Sequence, residues 1–256
     1  MFRNSSDGWR AQLPPVTKNL IIVNVLLWLV EVLFPGSIGG FILNHLGLHF
    51  FEGSAFNPVQ VFTYMFLHSS GSIFHLLFNM FTLWMFGRLM EQVWGSRRFL
   101  LFYLVCGVGA ALIQEAVWTF TWQNEYISGI APLNGLTYDS MKKVVDAALA
   151  SGDANFHTAV AAFKNQMMTI GASGAIFGIL LGFAFVFPDL PLYLFFIPVP
   201  IKAKYMVTGY AVLEFFLGVS SSDSTVAHFA HLGGMLFGLA MLLYWKKKGT
   251  LHGERF

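Results

Sequence analysis

Four groups of polar residues stand in otherwise apolar surroundings in this chain. Ser173 lies in Gly171-Ala172-Ser173-Gly174. His75 and Asn79 are four apart in His-Leu-Leu-Phe-Asn. His228 and His231 are three apart, followed by Gly233 and Gly234, and Glu214 sits alone in an apolar run. A hydroxyl and an imidazole are the materials of nucleophilic acyl transfer. Neutral His231 would take the Ser173 proton as Oγ attacks a carbonyl carbon, then return it to the leaving amine. The Asn79 amide, the His75 ring and the Ser173 backbone N–H are donors of the kind that stabilise an oxyanion. No acidic residue is close in sequence, so the economical reading is a dyad of Ser173 and His231. Each residue also has a plainer role open to it. Ser173 could ease helix packing, His231 could make an interhelical hydrogen bond, and His75 with Asn79 could brace a helix pair. His228 reads as support or substrate contact, His68 as structural or lining the mouth of a site, and Glu214 as a partner for polar groups of a neighbouring helix. Glu91 and Arg97 read as a brace for a turn. No metal or other cofactor is expected; a zinc protease would need ligands such as His-Glu-x-x-His, which do not occur.

The elements that must position these residues are set by lipid. The chain has 256 residues, 56% hydrophobic and 11% charged, against about 25% charged in a soluble domain. Apolar stretches of spanning length cover 19–34, 72–90, 99–119, 170–187, 205–219 and 225–245, the fifth being short and carrying Glu214. The expected fold is an all-α polytopic membrane protein with six transmembrane helices, N-in and C-in. With that orientation Arg3, Arg10, Lys18, Arg88, Arg97, Arg98, Lys202, Lys204, Lys246, Lys247, Lys248 and Arg255 are cytoplasmic. Those are twelve of fifteen basic residues, and only Lys142, Lys143 and Lys164 are outside. The expected organisation is a short cytoplasmic N-terminus over 1–18, a membrane domain over 19–245 and a cytoplasmic tail over 246–256. Outer segments cover 35–71 and 120–169, the latter with one or two short surface helices in its Ala-rich half. A cleaved signal peptide over the first apolar run is disfavoured because no small-residue cleavage site follows. The single cysteine, Cys106, permits no intrachain disulfide and reads as packing. The mild positive charge follows from topology and implies no nucleic-acid partner.

This topology tests the motifs independently. The second, fourth and sixth helices run from outside to inside, and His75, Ser173 and His231 lie near their starts. All three therefore share the outer half of the bilayer, within roughly 5–10 Å in depth at 1.5 Å per residue. Gly174, Gly178 and Gly182 recur every fourth residue, as do Gly234 and Gly238, and small residues at that spacing let membrane helices approach closely. If those two helices pack together, Ser173 and His231 come within reach.

With these residues in view, the chain resembles the rhomboid family of intramembrane serine proteases. The resemblance rests on HLLFN at 75–79, GASG at 171–174 and AHLGGMLFG at 230–238, with VQVFTYMFLH at 59–68 and EQVWGSRR at 91–98 flanking them. It implies Ser173 as nucleophile, His231 as general base and His75 with Asn79 around the oxyanion. It further implies a multi-pass bacterial inner-membrane enzyme, open towards the outer side, that cuts single-span or other membrane proteins in or near a transmembrane segment. The chain departs from the family pattern in three places. Phe177 stands where many relatives have a tyrosine, so a ring can stack on His231 without a hydroxyl. The Trp-Arg pair of the first outer loop is missing between 35 and 71, Trp9-Arg10 being on the other side. The stretch from His68 to His75 is two residues longer than usual. A catalytically silent relative and a small transporter are the alternatives. The intact Ser173 and His231 weigh against the first, and polar groups crowded at one face weigh against the second.

Overall fold

A computed structural model describes residues 13–194, 197–220 and 227–251. Arg3, Arg10 and Arg255 of the charge argument, Trp9, and the first two residues of the sixth expected span lie outside the described residues. The protein is a largely helical membrane bundle. Four helical segments among the described residues are long and apolar enough to cross a membrane: Pro15–Leu33, Ile73–Trp94, Ser96–Asn134 and His228–Lys247.

The first is helix α1 (Pro15–Leu33), followed by α2 (Ile38–Leu46), the short strand β1 (Leu48–His49) and α3 (Gln60–Thr63). The second begins as α4 (Ile73–Thr82), passes through a π turn at Leu83–Gly87 and ends as α5 (Arg88–Trp94). Glu91 of α5 supplies the cap that Pro14 cannot. Its carboxylate accepts the N–H groups of Val16 (3.0 Å) and Thr17 (2.7 Å), the Thr17 hydroxyl (2.8 Å) and the Ser96 hydroxyl (2.6 Å). A negative group at a helix N-terminus satisfies orphan donors and the helix dipole together. The brace expected from Glu91 is thus made to α1 and to Ser96 rather than to Arg97.

Helix α6 (Ser96–Ile130) has 35 residues and overruns the expected 99–119. The stretch after Thr119 is polar, but Pro132 is its first proline, and nothing before it forbids an intrahelical bond. Beyond α6, Thr137 and Asp153 cap α7 (Tyr138–Ser151) and α8 (Ala154–Gln166) with side-chain oxygens, and Gly152 takes the left-handed turn between them at φ 71°. These helices and the end of α6 form a small core of their own around Tyr126, Ile127, Met141, Val145 and Val160.

After α8 comes β2 (Met168–Thr169), which pairs antiparallel with β1 in the register Leu48↔Thr169 and His49↔Met168. Helix α9 (Ser173–Val186) follows. Its 14 residues rise about 21 Å, short of a hydrocarbon core of roughly 30 Å. The fourth expected span therefore enters as irregular backbone over 170–172, where Gly171 and Ala172 are buried by protein. Strands β3 (Pro191–Leu194) and β4 (Ile197–Lys202) form a hairpin, and α10 (Ala203–Ser220) and α11 (His228–Lys247) complete the bundle. Helix α10 is not among the four segments that qualify by length and apolarity. Helix α11 packs against α6 and α9 at the centre.

Candidate active site

The site forms where the N-terminal ends of α4, α9 and α11 converge. Ser173 is the first residue of α9, so its N–H and those of Gly174 and Ala175 have no intrahelical acceptor; the first such bond runs from the Ile176 N–H to the Ala172 carbonyl. Just before it, Gly171 holds φ at +134°, where a side chain would be strained. A Cβ there would also lie 3.0 Å from His75 Nε2 and 3.7 Å from Ser173 Oγ. The imidazole and the hydroxyl therefore flank the same point. The Gly171 N–H donates to the Tyr64 carbonyl at 3.0 Å, and the Tyr64 hydroxyl donates to the Gly107 carbonyl at 2.7 Å. Together with the β1–β2 pairing, these bonds fix the approach to Ser173.

Helices α9 and α11 touch backbone to backbone. A Cβ on Gly234 would fall 1.8 Å from the Gly174 carbonyl oxygen, and one on Gly178 would fall 3.0 Å from the Gly234 carbonyl oxygen. Gly238 faces Gly178 across the same seam, at 3.5 Å from its would-be Cβ to the Gly178 Cα. Gly182 leaves the seam and makes room for Trp94 and Phe102 instead. At this separation the fourth residue of α11, His231, reaches α9. Its Nε2 is 2.8 Å from Ser173 Oγ. One turn along α9, Phe177 stacks on the His231 ring at a centroid distance of 4.3 Å and an interplanar angle of 4°. Face contact and hydrogen bond together leave the imidazole little freedom.

His75 enters from α4, and Asn79 lies one turn below it, its Nδ2 donating to the His75 carbonyl at 2.7 Å. An amide nitrogen has two N–H donors, so one is left for a further acceptor. His68 is fully buried behind His75, with ring centroids 5.0 Å apart, and neither of its ring nitrogens has a hydrogen-bond partner among the described residues. Burial and then the neighbouring His75 hold the His68 pKa far below the usual value, at about 3. The loop carrying it, the longer connection to α4, is held by α1. There Trp28 Nε1 donates to the Ser69 carbonyl at 3.2 Å, and Glu31 accepts the Ser70 N–H at 2.9 Å.

From the sequence, Glu214 is expected only to satisfy polar groups of a neighbouring helix. In the structure its Oε2 lies 2.9 Å from His231 Nδ1 and 2.7 Å from His228 Nδ1. The usable signal was the placement of an acid within an apolar span, which needs a partner, together with two histidines on one face of the next helix. These three side chains have donor atoms within 4.8 Å of one another. The 2.7 and 2.9 Å spacings are those of direct hydrogen bonds, with both rings turned onto one oxygen.

Ser173, His231, His75, Asn79 and Glu214 all line one cavity of about 1050 Å³. It runs along α9 from Ser173 past Leu180 to Pro191 and Leu192 of β3, walled by Phe74, Phe78 and Phe81 of α4 and Tyr210 and Leu213 of α10. An apolar trough with a few polar groups at one end suits an apolar chain carrying one reactive carbonyl.

A family model described as the Rhomboid domain matches residues 55–131 and 147–248, a range that includes every residue of the site. Among curated proteins none matches the chain. The family match covers most of the sequence and all the elements that carry the hydroxyl, the imidazoles and the carboxylate, and the chain belongs to the rhomboid family.

Proposed function

We propose that the protein is an intramembrane serine endopeptidase acting on membrane-protein substrates. The observation that carries the proposal is the 2.8 Å contact between Ser173 Oγ and His231 Nε2 at the polar end of an apolar cavity. In acylation the Ser173 O–H proton moves to His231 Nε2 as Oγ bonds to the scissile carbonyl carbon. The resulting oxyanion is stabilised by the Ser173 N–H at the positive end of α9, with His75 and Asn79 as further donors. Collapse breaks the C–N bond, and the proton on Nε2 passes to the leaving amine. Water then attacks the acyl-enzyme, giving its proton to His231, and the Ser173 hydroxyl is restored with release of a carboxylic acid.

The substrate must present a carbonyl free of intrahelical bonds, so a transmembrane segment with a weak helix is the preferred target. The trough between α4 and α10 is lined to receive such a segment. We place the site towards the outer face of an inner membrane, with six crossings and both termini cytoplasmic, because the basic residues then collect inside.

The test is cleavage of a single-span reporter in proteoliposomes. The wild type should cleave it, and Ser173→Ala and His231→Ala should not. Cleavage undiminished in both variants would sink the mechanism.

A further inference from the structure

We infer that Glu214 is a positioning residue for His231, making the site a Ser–His–Glu relay held from α10 rather than a two-residue dyad. The inference rests on the protease reading above. Ser173 Oγ is 2.8 Å from His231 Nε2, and His231 Nδ1 is 2.9 Å from Glu214 Oε2, so one ring joins the hydroxyl to the carboxylate.

The tautomer follows from the partners. An ionised carboxylate only accepts hydrogen bonds. Glu214 therefore holds the His231 proton on Nδ1, and the neutral ring presents a lone pair at Nε2 to the Ser173 O–H. A ring protonated at Nε2 instead would donate to Oγ and could not act as its base. The neighbouring contacts serve the same end. His228 Nδ1 donates to the same Oε2 at 2.7 Å, so the carboxylate is held by two rings one turn apart on α11. The two ring planes are 88° apart. Phe177 closes one face of His231. When the ring accepts the serine proton it becomes a cation beside a carboxylate in an apolar cavity, where the charge pair is worth more than in water. Glu214 itself stays ionised throughout, as the acid of a serine triad does.

The test uses the full-length protein in proteoliposomes with the single-span reporter. Glu214→Gln keeps the side-chain shape and removes the charge. It should lower kcat by about 100-fold with KM unchanged, within the range typical of lost acid–base assistance. Labelling of Ser173 by a fluorophosphonate should slow by a similar factor, and Glu214→Asp should recover part of both. A second measurement needs no variant. In ¹⁵N-histidine NMR of the wild type, His231 should carry its proton on Nδ1. Wild-type kcat in Glu214→Gln, a loss confined to KM, or an Nε2-protonated His231 would each overturn the inference. Ser173→Ala separates the two levels. Activity that needs Ser173 but ignores Glu214 leaves the protease and removes the relay, whereas cleavage that survives Ser173→Ala removes the protease reading itself.

Discussion

Ser173 combines two local devices. As the first residue of α9 it has a backbone N–H with no intrahelical acceptor, and Gly171 at φ +134° turns the chain so that the hydroxyl and His75 flank one point. His231 is fixed by three different contacts: a hydrogen bond at Nε2, another at Nδ1 and the Phe177 ring on its face. Phe177 contributes area and orientation without a hydroxyl, so it adds no donor of its own. His68 makes a prediction at this scale. It is buried and neutral when folded, with a pKa near 3, while the unfolded chain takes up a proton near the ordinary histidine value of about 6.5. Between those values the unfolded state binds more protons, so stability falls as pH drops through that window and is unaffected above it. Thermal unfolding in detergent should show the melting temperature falling from pH 7 towards pH 4, and His68→Phe should flatten that slope. An equally steep slope in the variant would assign the acid sensitivity elsewhere.

Among the elements, the α9–α11 seam decides whether the site exists. Contact between the Gly174 and Gly234 backbones leaves no room for a methyl group, with the Cβ of an alanine at 234 falling 1.8 Å from a carbonyl oxygen. Gly234→Ala should therefore separate the helices, costing on the order of 1–3 kcal/mol as overpacking does, and cleavage should fall with it. Gly209 in α10 is the matched control, since a Cβ there meets nothing within 4 Å. Gly209→Ala should hold or slightly raise the melting temperature, by up to about 1 kcal/mol of helix propensity, and leave cleavage intact. Equal tolerance at both positions would show that the seam is not tightly packed. The approach to Ser173 depends on a second device, the β1–β2 pairing and the fully buried Gln60. The Gln60 side chain accepts from the His49 and Asn57 N–H groups and donates to the His45 and Ala55 carbonyls.

For the whole molecule, four candidate spans establish a polytopic membrane protein, and the basic residues supply the expected direction. Lys143 in α7 should lie outside and Lys247 at the end of α11 inside. Single-cysteine variants at these positions, in a background where Cys106 is replaced, should respond oppositely to an impermeant thiol reagent added to intact cells. Labelling at Lys247→Cys before lysis, without labelling at Lys143→Cys, would invert the topology. The cavity of about 1050 Å³ is lined by Ser173 and His231 together with apolar residues of α4, α9 and α10.

Much of this was readable beforehand because membranes impose simple rules. Charge depletion and apolar run length require lipid-spanning helices, and glycine spacing marks where two of them can touch. The shared depth of His75, Ser173 and His231 follows from counting residues along helices that all run the same way. What composition alone could not decide was local continuation and side-chain partnership. Helix α6 overran its expected end because polar residues do not stop a helix, whereas a proline does. The span containing Ser173 begins as irregular backbone, since protein rather than lipid surrounds it there. Glu214 is 14 and 17 residues from the two histidines it meets, and their pairing depends on the rotation of α10 against α11. Sequence thus determined which chemical groups the bilayer would hold at one depth. Only the packing of three helices decided that a single imidazole would stand between a serine and a glutamate, because hydrogen bonds depend on ångström distances that periodicity does not encode.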